Sequence, residues 1–439
     1  MGFIFESKKL LRKSNLDYLI LPLAIILSGF KLFGYSISFI VFLPFFLINF
    51  RKYFIYFKES TKQTKFICFF IFYMILMTIF GSFFINELKI LLYWGTFFTV
   101  LAFIYIHNKI LLENDIFYRE KFNFIIYISG LIYFLIYLLM NFISIKFFGN
   151  IYDIQNDFWI GSSASFHIAS IFLSSLYILW QKIEFKIRSH YFLSSLFFVF
   201  LVSFNSSRLG YLYFILYSVF ILINCLSKKL FIRALLIGIL FANTYFYSST
   251  ILALDKAETF NVIDTAKNIN RSASTLPKIL KPEDDVVAFK GDDDRIFELM
   301  VGFKKFKRLN IFNKFIGTGW YSSRKTINDV RNKMIQDNSE KLKEFKFIEK
   351  TNVSASLQGI VALILDMGLI GISLIGFLYL LVIKKLITYR DLLIRLFLIS
   401  MLGMNAFCLL IGYPFANIVY WLVFLPGGIF QFKQDYPKT

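Results

Sequence analysis

Residues 357–383 read LQGIVALILDMGLIGISLIGFLYLLVI, with Asp366 as the only formal charge. The run exceeds the ~20 apolar residues that one membrane-spanning helix needs. In hydrocarbon every backbone N–H and C=O must be satisfied internally, which leaves helices and closed barrels. Barrel strands alternate apolar and polar residues, and this run does not, so it reads as a helix. Similar runs recur at about 16–32, 34–50, 66–84, 90–106, 123–143, 164–181, 191–207, 209–226, 233–250, 391–411 and 416–431. The expected fold is therefore an all-α polytopic membrane protein of about twelve transmembrane helices.

Composition agrees: 57% of the 439 residues are hydrophobic and 58 are Phe, which excludes a soluble globular chain. Lys8, Lys9, Arg12 and Lys13 precede the first run without a small-residue cleavage site, so that run is expected to stay as a helix. Residues 3–13 mix lysines with Phe3, Ile4, Phe5, Leu10 and Leu11, as a helix lying on the inner surface would. Cys68, Cys225 and Cys408 all fall in apolar runs and have no metal-ligand spacing, so they read as packing residues.

The net charge of +20 reads as topology rather than as nucleic-acid binding. With the N-terminus inside, the inner segments carry 23 Lys and Arg, and the short outer segments only Lys31, Lys89, Lys146 and Arg208. Both termini are then cytoplasmic. Residues 251–354, the one long polar segment, form an extracytoplasmic loop domain. Residues 1–250 form an N-terminal bundle of about nine helices, and 355–439 add about three more. Long loops cross regardless of charge, so the 20 Lys and Arg of this segment do not oppose the assignment. No internal repeat of useful strength is seen, which weakens an inverted-repeat transporter.

Four places could carry chemistry. Ser206-Ser207-Arg208-Leu209-Gly210 lies at the outer end between two tight runs. Arg208 there is either a snorkelling anchor or a guanidinium set to grip phosphate oxygens bidentately. Asp292-Asp293-Asp294-Arg295 is a helix-starting acidic cap or a divalent-ion site, the cap being preferred, and Arg295 is a second arginine able to fold over the membrane mouth. Asp366, followed by Gly368 and Gly371, is either a functional intramembrane carboxylate or a residue beside a helix break. Of the histidines, His107 and His190 fall in inner loops. His167 lies near the outer face, as a packed helix residue or a proton acceptor. Inside the polar segment, apolar residues at Ile296, Leu299, Val301, Phe303, Phe306 and Leu309 have helical spacing, and a glycine turn, Gly317-Thr318-Gly319-Trp320, follows.

The order of these features resembles the O-antigen ligase and O-antigen polymerase superfamily of bacterial envelope glycosyltransferases. The resemblance rests on Ser206 to Gly210 opening a span, one large outer loop before the last spans, and Arg295 opening a helix within it. A turn at Phe315 to Trp320, then Asn352 ahead of the signature Asp366 to Gly371, complete it, with Gly161–Ser170 similar to the family's small-residue stretch. It implies a GT-C-like fold and metal-independent, cofactor-free glycosyl transfer from an undecaprenyl-diphosphate-linked glycan, on the outer face of the bacterial cytoplasmic membrane. Arg208 and Arg295 would hold the diphosphate, and Ser206, Ser207, Gly317, Gly319, Trp320 and Asn352 would lie against substrate. Family ligases place a histidine before the asparagine matched by Asn352; this chain has Thr351. The base is therefore left among His167, Glu349 and Asp366, and polymerisation of O-antigen, exopolysaccharide or capsule repeat units is favoured over ligation to a lipid or protein acceptor. A flippase for the same lipids is the reading from another class. Implied partners are the lipid-linked glycan, membrane lipids, a chain-length regulator and a flippase, with no nucleic acid.

Overall fold

The computed structural model describes residues 17–28, 30–32, 35–148, 161–182, 302–303, 305–323, 325–326, 329, 359–411 and 420–421, with 213, 216–217, 219–221 and 223. The side chains of residues 31–40, 141–148 and 161–167 lie outside the description, as do a few single ones. Apart from a two-residue antiparallel ladder, β1 (Lys31–Leu32) on β2 (Tyr35–Ser36), the regular elements among these residues are helical. Besides the short turns Asp17–Leu19, Leu88–Ile90 and Gly359–Ala362, they include α1 (Ile20–Leu27), α2 (Ile37–Ile48), α3 (Phe50–Glu59), α4 (Lys62–Ile85), α5 (Thr96–Asn114), α6 (Ile116–Phe148), α7 (Gly161–Lys182), α8 (Ile311–Ile316), α9 (Gly368–Ile387) and α10 (Leu392–Ile411). Wider π-helical turns precede two of them, Leu91–Gly95 before α5 and Leu363–Met367 before α9.

Among the described residues, five stretches are long and apolar enough to cross a membrane: Thr64–Ile85, Leu91–Asn114, Ile116–Tyr137, Gly359–Ile387 and Leu392–Leu409. The chain is thus a helical membrane protein. These stretches match the runs at 66–84, 90–106, 123–143, 357–383 and 391–411. The runs at 16–32 and 34–50 fold as the shorter helices α1 and α2, turned by the β1–β2 ladder. Runs 191–207 and 233–250 lie outside the described residues, as do residues 3–13 and most of 209–226 and 416–431.

Capping sets the ends that apolar runs leave vague. Thr61 is extended and its hydroxyl accepts the Thr64 N–H, while Asn86, at φ 61°, closes α4 in the left-handed conformation. Asp115 stops α5 and starts α6, its Oδ1 accepting the Tyr118 N–H at 3.1 Å and its Oδ2 the Tyr18 hydroxyl at 2.5 Å. The break between the two helices is therefore one residue rather than a loop. A helix continues through Lys109 and Glu113, which pair at 3.7 Å, where a hydropathy reading stops.

The same geometry corrects the position of His107, which lies inside α5 and is buried. Its Nε2 faces the Asp17 carbonyl and its Nδ1 the Tyr53 hydroxyl, both at 3.0 Å. A carbonyl can only accept, so Nε2 carries a proton, and the neutral ring accepts from Tyr53 at Nδ1. Phe45, Phe46 and Tyr53 surround the ring edge-on. Tyr53→Phe removes the hydroxyl that donates to Nδ1 in a buried place. It is expected to cost about 1–3 kcal/mol, read as a lower thermal midpoint of the detergent-purified protein with no change in helix content.

Elsewhere the spans meet through small residues and polar clasps. A Cβ on Gly130 of α6 would come within 2.8 Å of the Phe172 ring of α7, and Tyr127 stacks on that ring with centroids 5.2 Å apart. Asn405 of α10 donates to the Ser170 hydroxyl of α7 at 2.9 Å, both fully buried, as suits a polar pair between spans.

Candidate functional site

Two motifs distant in sequence, the glycine turn and the stretch about Asp366, form one joint, its first bond spanning 47 residues from Thr318 to Leu365. The π-helical turn Leu363–Met367 frees carbonyls from the helix ladder. Leu365 O accepts the Thr318 N–H at 2.9 Å, and Asp366 O the Gly319 N–H at 3.0 Å. From the other side, the Trp320 N–H donates to Met77 O of α4 at 2.7 Å. Met77 O already faces the α4 ladder, and its second lone pair takes the loop.

That approach needs Gly81. A Cβ there would lie 1.9 Å from Trp320 O, and one on Gly319 would lie 2.2 Å from the Gly81 nitrogen. Gly319 also sits at φ +97°, a conformation open to glycine. Gly317, at φ +94°, is pressed against the Asp366 carbonyl in the same way. Gly81→Ala is therefore a sharp test. By helix propensity alone it should stabilise α4 by about 1 kcal/mol. It is expected to do the reverse, lowering the thermal midpoint and opening residues 302–323 to protease; a midpoint at or above that of the parent would show that the turn does not rest on α4.

The Asp366 side chain is completely buried and receives four donors. Oδ1 accepts from the Ser323 N–H (2.6 Å) and Ser322 hydroxyl (3.0 Å), and Oδ2 from the Tyr321 N–H (2.9 Å) and Ser323 hydroxyl (3.0 Å). Ser322 and Ser323 begin a helical stretch, so the carboxylate sits where a helix start favours negative charge. Donors without a facing acceptor are what an acceptor-only carboxylate needs in order to be buried. Tyr73 of α4 closes the joint, its hydroxyl reaching Ile316 O (3.1 Å) and Met367 O (3.2 Å).

Trp320 anchors the turn. It is fully buried, edge-on to Trp94 at 5.4 Å and Phe98 at 5.5 Å, and Phe98 in turn meets Trp421. Trp94 lies in the other π-helical turn, so both such turns among the described residues face this joint. With no ring face open, Trp320 acts here as packing rather than as a platform for a sugar.

Of the residues singled out from the sequence, the structure brings together Gly317, Gly319, Trp320 and Asp366. His167 lies on α7, one turn before Ser170, with its side chain outside the description. Arg208, Arg295, Glu349, Ser206, Ser207 and Asn352 lie outside the described residues, as do Asp292 to Asp294. Tyr73, Gly81, Trp94, Ser322 and Ser323 were not legible as partners; Gly81 inside an apolar run and the serine pair after the glycine turn were the available signals. Asp366 thus stands beside a helix break, at Gly368 with φ +59°, and is engaged as a tie. Comparison with known proteins finds no family model, characterised relative or solved structure that matches this chain.

Proposed function

We propose that this chain is a membrane glycosyltransferase that polymerises oligosaccharide repeat units carried on undecaprenyl diphosphate. It would act on the outer face of a bacterial cytoplasmic membrane, with both termini inside and most of residues 251–354 outside. The observation that carries this reading is the joint. Two of the motifs on which the family resemblance rests, Gly317 to Trp320 and Asp366 to Gly371, are bonded to each other through the Gly319 N–H and the Asp366 carbonyl at 3.0 Å. They also meet α4 at Met77, in the half that leads to Ile85, and Trp94 just before α5, on the side that the lysine asymmetry assigns to the outside. A polar segment anchored at one mouth of a bundle suits a substrate with a lipid tail, a charged neck and a polar glycan.

In this reading Arg208 and Arg295 grip and neutralise the diphosphate as it departs, doing without a metal. Asp366, with both oxygens already engaged, positions the turn. His167 and Glu349 remain as acceptors for the proton of the attacking sugar hydroxyl.

The test is product analysis. Purified protein in liposomes, given undecaprenyl-diphosphate-linked repeat units and a chelator, should produce a ladder of chain lengths and free undecaprenyl diphosphate. A single transfer to a non-repeat acceptor would make it a ligase. Movement of the lipid across the bilayer with no new glycosidic bond would make it a flippase and overturn the proposal.

A further inference from the structure

Residues 302–317 belong by sequence to the polar segment, yet they descend along a membrane span. A Cβ on Gly302 would lie 2.5 Å from Val361 Cγ1, near the start of the Gly359–Ile387 span. Seven residues further along that span, Gly368 is met by the carbonyls of Lys314 and Phe315, at 2.7 and 2.6 Å from a Cβ placed there. That is a descent of about 10 Å at 1.5 Å per residue. On α4, the contacts of Trp320 with Met77 and of Ile316 with Tyr73 lie eight and twelve residues short of Ile85, about 12 and 18 Å along the helix. The hydrocarbon core is only ~30 Å thick, so α8 ends at membrane depth.

The backbone is built for a place without water. Each N–H from Gly317 to Ser323 has a protein acceptor. Gly317 bonds back to Asn313 O of α8 and Ser322 to Gly319 O, Thr318 and Gly319 to the carbonyls of Leu365 and Asp366, Trp320 to Met77 O, and Tyr321 and Ser323 to the Asp366 carboxylate. Irregular backbone is tolerated at membrane depth only when satisfied in this way. The side chains of α8 on its free face are apolar and open: Ile311 is 75% exposed, Phe312 66% and Phe315 52%. The neighbouring span likewise exposes Leu369 and Ile370. Lys305, Lys307 and Arg308, all exposed, stand on the preceding helical turn, nearer the end of the span.

We propose that α8 is a membrane-dipping helix whose partner is the phospholipid of one leaflet, with acyl chains against Ile311, Phe312 and Phe315 and headgroup phosphates beside Lys305, Lys307 and Arg308. The polar segment then holds a lipid-seated stretch at about 302–323. This inference is independent of the enzymatic reading, since it needs only the depth of the joint and the chemistry of the face.

Power-saturation spectroscopy tests it. Phe312→Cys and Phe315→Cys, each alone in the full chain with Cys68, Cys225 and Cys408 replaced by alanine, are nitroxide-labelled and reconstituted in phosphatidylcholine–phosphatidylglycerol vesicles. Phe72→Cys, on the outward face of α4, is the lipid-facing reference in the same background and shows that the background folds. The expected result is relaxation by oxygen several-fold greater than by a water-soluble nickel chelate at both positions, matching Phe72→Cys, with the order reversed for Arg308→Cys. Dominance of the nickel chelate at Phe312 and Phe315 would place α8 in water. Protection from both agents would mean that protein covers the face. Either result overturns the proposal.

Discussion

Asp366→Ala is expected to be the most destabilising single change in the described part of the chain. It leaves two backbone N–H groups and two serine hydroxyls, all buried, without the acceptor they share. Leaving a buried donor without its acceptor typically costs about 1–3 kcal/mol, and here the donors of one joint lose theirs together. The loss should appear as a large drop in the thermal midpoint of detergent-purified protein and as protease cleavage within residues 302–323. Asp366→Asn should fall between, because its amide oxygen still accepts while its NH2 is turned on two donors. The pair of variants also separates roles. If Asp366→Asn kept full stability and lost all activity, the carboxylate would be serving chemistry rather than holding the turn.

The second large effect is on rate, at Arg208. Should the arginine grip the diphosphate, losing it removes a bidentate, charge-assisted contact from a partly desolvated site, worth on the order of 2–4 kcal/mol in the transition state. At about 1.36 kcal/mol per decade, turnover in the liposome assay falls roughly 30- to 1000-fold. Arg208→Lys stays badly impaired, since an ammonium cannot reproduce the fork. Lys31→Ala and Lys146→Ala, assigned to the same face, stay near normal. Wild-type chain lengths from Arg208→Lys would make Arg208 an interfacial anchor only.

Much of the architecture was legible because its cause is local. Hydrocarbon selects apolar runs, and the runs at 66–84, 90–106, 123–143, 357–383 and 391–411 become span-length helices. Their ends were less legible, because α5 carries Lys109 and Glu113 as an ordinary helical pair and stops only where Asp115 caps the next helix. The first two runs look alike in composition, yet α1 and α2 are shorter than spans, with Pro44 inside α2 and the β1–β2 ladder between them.

The site divides in the same way. Gly317, Gly319 and Asp366 stood out because glycine turns and intramembrane carboxylates are conspicuous in sequence. Their partner on α4 did not, since Met77 contributes only a carbonyl and Gly81 only the absence of a side chain. Burial of Trp320 was equally hidden, because a tryptophan after a glycine turn reads the same whether it faces a sugar or Trp94 and Phe98. Depth misled most. Lys305, Lys307, Arg308 and Lys314 make residues 302–317 look soluble, while the glycine contacts that seat them on Val361 and Gly368 depend on a fold that brings distant residues together.

That seating underlies both the functional reading and the membrane-dipping helix, and a cysteine pair tests it directly. A Cβ placed on Gly302 lies 3.3 Å from Val361 Cβ, close to the ~3.5–4.5 Å that a disulfide spans. In intact membranes treated with a mild oxidant, Gly302→Cys combined with Val361→Cys should form an intramolecular disulfide, found by mass spectrometry as one linked peptide pair. Gly302→Cys combined with Leu380→Cys, further along the same span, should not. Two free thiols at 302 and 361, both open to maleimide after the same oxidation, would contradict the account.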